Sequence, residues 1–274
     1  LILPPLATWL ISTAGWRVTY MLLGLVTLLI GPAAALLLEH SPQRRGLLPD
    51  GASSSALASA SRGESMVAGM QEHQTLGTVL RSRTFWLLYM ATFAAALGAF
   101  TPFAHLAAYA QDHGLSGGFG ALLIALIGVG STAGRLLLGK GADRFGIRRS
   151  LMGMFLGMMV MFLWWFIATN AWTLVIFALF FGVFYGGFVA LAPALTAVYF
   201  GGSRISTIIG IQLTGVGIGT LIGPGLAGIA YDLSHSYSVP ILVSAVVNLL
   251  AVCCVLFLGI SGRQKPTEQL EGIS

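Results

Sequence analysis

The run at 174–195, LVIFALFFGVFYGGFVALAPAL, carries no charged side chain over 22 positions, and several comparable runs follow one another along the chain. A helix needs roughly 20 mainly apolar residues to cross bilayer hydrocarbon. On that measure the sequence predicts a partial span at about 1–13 and full spans at about 18–38, 85–110, 118–139, 150–169, 172–200, 204–230 and 238–260. Hydrocarbon offers no partner to an unpaired backbone N–H or C=O, so each span has to be a helix or part of a closed barrel. Barrel strands alternate in segments of about ten residues, and these runs do not alternate. An all-α, polytopic membrane protein is therefore expected. Charged residues make up only 8% of the chain, against about 25% for a soluble domain, too few to cover a water-facing surface.

Where the charges fall matters more than the net charge of +5. If the loop after the second apolar segment is cytoplasmic, then Arg44, Arg45, Arg62, Arg81, Arg83, Lys140, Arg144, Arg148, Arg149, Arg204, Arg263 and Lys265 all lie inside. Of the 14 basic residues only Arg17 is then outside, with Arg135 within the membrane. That bias fits the positive-inside rule and puts the C-terminus in the cytoplasm. A basic charge so explained calls for a lipid bilayer as partner and for no nucleic acid. Cys253 and Cys254 are adjacent in an apolar segment, which excludes a disulfide framework. The chain starts at Leu1 inside an apolar segment, without a basic n-region or small-residue cleavage site. It is expected to be a fragment that would not transport by itself.

The stretch GRLLLGKGADRFGIRR, at 134–149, interrupts this apolar background. Gly139, Asp143, Arg144, Gly146, Arg148 and Arg149 follow the pattern G-x-x-x-D-R-x-G-x-[RK]-[RK], expected as a tight cytoplasmic turn. The glycines permit an abrupt reversal. Asp143 suits the positive end of a helix dipole, with Arg204 as a charge partner. Anchoring in the cytoplasm would account for the arginines but requires no carboxylate.

This stretch resembles the loop signature of the major facilitator superfamily, in its second copy, between the eighth and ninth helices of twelve. GWRVTY resembles the start of helix six. RRGLLPDG and PFAHLAAYAQDHG resemble the monocarboxylate-porter and oxalate/formate-antiporter branch, and PALTAVYFG and GPGLAGIAYD that branch's helices ten and eleven. The resemblance implies the end of an N-terminal bundle at 1–38, a cytoplasmic linker at 39–83, a C-terminal six-helix bundle at 84–260 and a cytoplasmic tail at 261–274. It also implies two bundles rocking around a central site in the cell membrane, with Asp143 latching the outward-open state through the N-terminus of helix eleven.

Arg135 carries the expectation about cargo. An arginine at the centre of a membrane helix costs roughly 2.5–3.5 kcal/mol on insertion scales, and such residues face bundle interiors or wet cavities. Gly128, Ser131 and Arg135 share a helical face. A guanidinium forks onto carboxylates in bidentate fashion, which points to a small organic anion, and the resemblance implies a monocarboxylate, with a coupled proton or counter-anion. The alternative is that Arg135 snorkels to the interface. The family often has an acid one turn before this arginine and sometimes a lysine in helix eleven. Here Ser131 and GIQLTGVGIG stand in those places.

His105, Tyr109, Tyr185, Gln212 and Thr214 are further candidates for lining the site, while interhelical hydrogen bonds explain them as well. Asn248 is expected to make such a bond, and FLWWF at 162–166 to face lipid or the interface. Glycines four apart (130/134, 182/186, 215/219/223) are expected to let helices approach closely, and Pro102, Pro193 and Pro224 to bend them. Efflux of drug-like solutes, or a non-transporting receptor or scaffold on the same fold, are the other readings. An enzyme is not expected: the spans hold no HExxH and no acid–base–nucleophile cluster, and neither a metal nor another cofactor is called for. Replacing Asp143 with Ala should leave membrane insertion intact and slow transport; unchanged turnover at normal expression would remove the latch.

Overall fold

The computed structural model describes residues 3–37, 75–202 and 204–261. The expected tail, from 262 on, and the linker over 38–74 lie outside the described residues, as do the side chains of 138–140 and 143. The chain divides into two compact units, one over 2–73 and one over 74–274 together with Leu1.

In the first unit, α1 spans Leu3–Leu37 and is interrupted at Gly15 (φ 79°, ψ 159°). That conformation is open to glycine and strained for other residues. It falls between the partial and full spans expected there, so the break between them is a single residue. Pro32 sits inside the second stretch.

The second unit is built from α2 (Leu76–Arg81), α3 (Arg83–Ala99), α4 (Thr101–Asp112), α5 (Gly117–Phe145), α6 (Ile147–Ile167), α7 (Ala171–Phe200), α8 (Ile205–Ser234) and α9 (Ser238–Ser261). No strand occurs among the described residues. Among the described residues seven stretches are long and apolar enough to cross a membrane, with α3 and α4 counted as one. Helix α2 falls at the end of the expected linker. Thr75 caps it, Ser82 caps α3, and Val79 is buried with Phe85, Phe200 and Ile208. That small cluster docks α2 onto the bundle.

Local chemistry sets the breaks. Pro102 has no N–H to offer the Gly98 carbonyl four residues back, and the α3–α4 break falls at Phe100. Pro193 and Pro224, by contrast, lie inside helices that continue past them. Asn170 and Thr173 form a capping box at the start of α7. Gly146 (φ 84°) is both the last cap of α5 and the first of α6. The expected loop over 140–149 is accordingly helical apart from that one residue, because nothing in KGADRF opposes helix continuation in water beyond the apolar run.

Close packing follows the glycines. Helices α5 and α7 form the most extensive pair, and α3 packs against both α8 and α9. A Cβ added at Gly130 would meet the Leu179 carbonyl, one at Gly134 the Val183 carbonyl, one at Gly182 the Ile127 carbonyl and one at Gly186 the Ser131 carbonyl. Backbone therefore rests on backbone from both sides. Gly219 and Gly223 do the same against Phe93 and Leu97 of α3.

Two expectations about facing are corrected here. Phe162 and Trp165 of FLWWF are fully buried, with Trp165 packed 5.0 Å from Phe177; only Leu163 and Phe166 are turned outward. Three residues separate 162 from 165, which puts both on one helix face. Asn248 is buried, but its Nδ2 donates to Ser244 O one turn back in its own helix (2.8 Å) rather than across to a neighbour.

A Gly134→Ala variant should melt at lower temperature in detergent, with an overpacking cost of roughly 1–3 kcal/mol. Gly217, which has nothing within 4 Å of an added Cβ, should accept Ala with unchanged or higher stability. Equal melting of the two variants would contradict backbone-on-backbone packing.

Candidate functional site

Arg135 lies within the span Gly117–Leu137, one turn beyond Ser131. Ser131 is buried (7% exposed), because its carbonyl is where Gly186 of α7 closes on α5. Arg135 itself is exposed, and among the described residues its guanidinium has neither a hydrogen-bond nor an ion-pair partner. It acts electrostatically on Tyr185 of α7. Tyr185 is half-buried, with its ring 5.9 Å from Phe100 and 5.3 Å from Phe103. Thus Arg135, Ser131 and Tyr185 gather along the α5–α7 pair, with aromatic rings from the α3–α4 break behind them. The helix continues ten residues past Arg135 to Phe145, so the turn is nearly three helical turns away rather than the one expected.

Gln212 and Thr214 are placed by other contacts. Gln212 is 3% exposed, and its amide oxygen accepts from the Thr196 hydroxyl of α7, while its Nε2 has no partner. The Thr214 hydroxyl bonds Ile211 O (2.7 Å) and pairs with Tyr89 of α3 (3.2 Å). Both residues tie α8 to its neighbours, and Tyr89 in turn packs on Gly215.

His105 and Tyr109 sit toward the end of the bundle where α4 stops. The His105 Nε2 is 3.0 Å from Pro224 O of α8, and its ring lies 6.1 Å from Tyr237. Tyr109 is buried and donates its hydroxyl proton to Ala168 O (2.8 Å). These two hold α4 to α6 and α8, and the structure does not bring them beside Arg135.

At the opposite end, Arg148 reaches from α6 to α9. Its Nε donates to Val255 O (3.1 Å) and its Nη2 to Leu256 O (2.9 Å). A cation near a helix C-terminus also meets the negative end of the macrodipole. Arg144 lies over the Phe145 ring at 5.7 Å, Arg149 is exposed, and Arg204 is the exposed cap residue of α8. The backbones of Gly139 and Asp143 are in α5, while their side chains lie outside the described residues. Arg81 and Arg83 share this end, so it is strongly basic. Asp112 and Asp232 mark the other.

The family model described as Major Facilitator Superfamily matches residues 1–169 and 121–272. The chain belongs to this superfamily. Among curated proteins it is similar to Monocarboxylate transporter 11 of Mus musculus, 29% identical over 257 residues (89% of this chain, 52% of the relative). It is also similar to Monocarboxylate transporter 2 of Rattus norvegicus, 26% identical over 254 residues (90% and 52%). A shorter match, 36% identical over 146 residues (51% and 30%), is to the aspyridones efflux protein apdF of Emericella nidulans. The chain spans about half the length of the monocarboxylate transporters it matches.

Membership of this superfamily, with relatives named as transporters, points to transport rather than to enzyme chemistry. Among the described residues no group of three or more His, Cys, Asp and Glu could hold a metal ion. Thr196, Tyr89 and the α9 partners of Arg148 were not among the residues singled out by sequence; each is ordinary by itself and acquires its role from a helix distant in the chain. Arg148→Ala should lower the melting temperature by several degrees, while Arg149→Ala, at an exposed neighbour, should leave it within about a degree. Equal effects would show that the two carbonyl bonds contribute nothing particular.

Proposed function

We propose that this chain forms part of a secondary active transporter that moves a small organic anion, a monocarboxylate, by alternating access, with Arg135 as the anion contact. The observation that carries the proposal is the exposed guanidinium within a spanning helix, unpaired among the described residues. A guanidinium keeps its charge at any physiological pH and matches a carboxylate in bidentate geometry. Ser131 stands one turn away on α5 and Tyr185 on the facing α7, while Gln212 and Thr214 join α8 to α7 and α3. The names of the relatives agree with such a cargo. A coupled proton or counter-anion completes the cycle. In this reading the basic end of the bundle is cytoplasmic in a cell membrane, and the Gly139–Arg149 segment with Arg204 is the latch that opens and closes on that side. Major-facilitator sites lie between two bundles, so the other wall comes from the remaining helices of the transporter.

A second reading, efflux of larger apolar solutes, is favoured by the similarity to an efflux protein and by the rings of Phe100, Phe103 and Tyr185. Lactate- or acetate-type anions should compete for uptake under the first reading, and lipophilic solutes under the second.

The decisive substitution is Arg135→Lys, measured as anion uptake into proteoliposomes holding the protein at its full natural length. A lysine keeps the charge and loses the fork, so transport efficiency should fall at least tenfold. Uptake that survives the swap undiminished would leave Arg135 as an interfacial anchor and remove the anion assignment.

A further inference from the structure

A cavity of about 390 Å³ opens at the end of the bundle opposite the basic one, lined by Tyr109, Asp112, His113, Tyr231, His235 and Tyr237 among others. We propose that it is a binding site for an alkylammonium group. The inference does not depend on the cargo of the central site.

Charge is the first argument. Asp112 is the carboxylate in this cavity, and among the described residues of this unit no Lys or Arg lies at this end. It accepts one hydrogen bond, from the Tyr231 hydroxyl to Oδ2 (3.1 Å), out of roughly four that a carboxylate can take. An anionic ligand would be repelled here, and a neutral one would leave the carboxylate without a counter-charge.

The second argument is an unfilled hydroxyl. Tyr237 lines the cavity and is 9% exposed, yet its hydroxyl has no hydrogen-bond partner among the described residues. Burial, followed by the neighbouring Asp112 charge, pushes its pKa up to about 12. It therefore stays a neutral phenol, with an oxygen able to accept. Because Tyr237 lines the cavity, that oxygen is open to a ligand that donates to it.

Third, His113 adds an acceptor to the same lining. The His113 Nδ1 lies 2.8 Å from Tyr109 O, and a carbonyl can only accept, so the proton sits on Nδ1. In the neutral ring Nε2 is then an acceptor. Carboxylate, phenol oxygen and imidazole nitrogen form an acceptor-rich set, matched to the three N–H donors of a primary ammonium. The rings supply the rest: Tyr231 and Tyr237 stack at 4.3 Å, and Tyr109 meets Tyr237 edge-on at 5.3 Å. Such a wall attracts a cation through its π faces and accommodates an alkyl chain. A divalent metal ion is a poorer match, since no metal-holding group of His, Cys, Asp and Glu forms among the described residues.

The ammonium can come from a soluble amine or from a phosphatidylethanolamine headgroup, as the cavity sits where α4 and α8 end and α9 begins. The test is calorimetric titration of n-butylammonium and tetramethylammonium into the purified protein in phosphatidylcholine nanodiscs. Saturable n-butylammonium binding is expected, weakened at least tenfold by Asp112→Asn and several-fold by Tyr237→Phe, which keeps the ring and should fold normally. Tetramethylammonium has no N–H, so its affinity should be unaffected by Tyr237→Phe. Repeating the titration in phosphatidylethanolamine discs separates the sources: lower apparent affinity assigns the lipid headgroup, and unchanged affinity a soluble amine. Absence of saturable n-butylammonium binding, or full affinity in either variant, overturns the proposal.

Discussion

Contact between the backbones of α5 and α7 is the constraint from which the rest of the described bundle follows. In lipid, helices gain little from burying apolar surface against one another, because the acyl chains are just as apolar; van der Waals fit has to do the work. Gly130 and Gly134 on one side, and Gly182 and Gly186 on the other, remove the side chains that would keep the two axes apart. That approach buries Ser131 and brings Arg135 within electrostatic range of Tyr185. The same device, repeated by Gly215, Gly219 and Gly223, seats α8 on Tyr89, Phe93 and Leu97 of α3. The polar groups of the site are thus held by residues that have no polar side chain at all.

Polar side chains within the spans mostly serve the fold. Thr92, Thr132, Thr220 and Ser244 return their hydroxyl protons to carbonyls of the preceding turn, which disposes of a donor without needing a neighbour. Arg148 extends the same logic between helices, spending two of its donors on α9 carbonyls. Its neighbour Arg149 is left exposed. Two adjacent arginines of one motif therefore do different work: one fastens a helix end, the other presents charge.

The spans, their order and the polarity of the two ends were legible because length and charge placement are one-dimensional properties. The glycine spacings were legible for the same reason. Facing was not. A helix that is apolar all round carries no stripe to show which side is buried, so FLWWF read as lipid-facing although Phe162 and Trp165 are core. Partners were equally hidden, since His105 meets Pro224 and Tyr89 meets Thr214 across more than a hundred residues. The extent of α5 through the charged motif was missed because charge was taken as the end of the span; the hydrocarbon ends there, but the helix does not. Of the candidate site residues, Ser131 and Arg135 share α5 and Tyr185 stands on the facing α7, while His105 and Tyr109 belong to a separate layer near the other end.

That separation sharpens the case for Arg135. A guanidinium in a spanning segment needs a counter-charge or water, and the structure limits where either can be found. Among the described side chains the acids are Asp112 and Asp232, both at the far end of the bundle, well beyond the roughly 4–6 Å over which a charge pair acts strongly. Where the resemblance leads one to expect an acid one turn earlier, Ser131 stands, buried where its backbone meets Gly186. Among the described side chains, then, no carboxylate neutralises the arginine in advance, and none would have to be displaced by an incoming anion. A guanidinium so placed keeps its charge available, and a carboxylate is the group its planar fork matches.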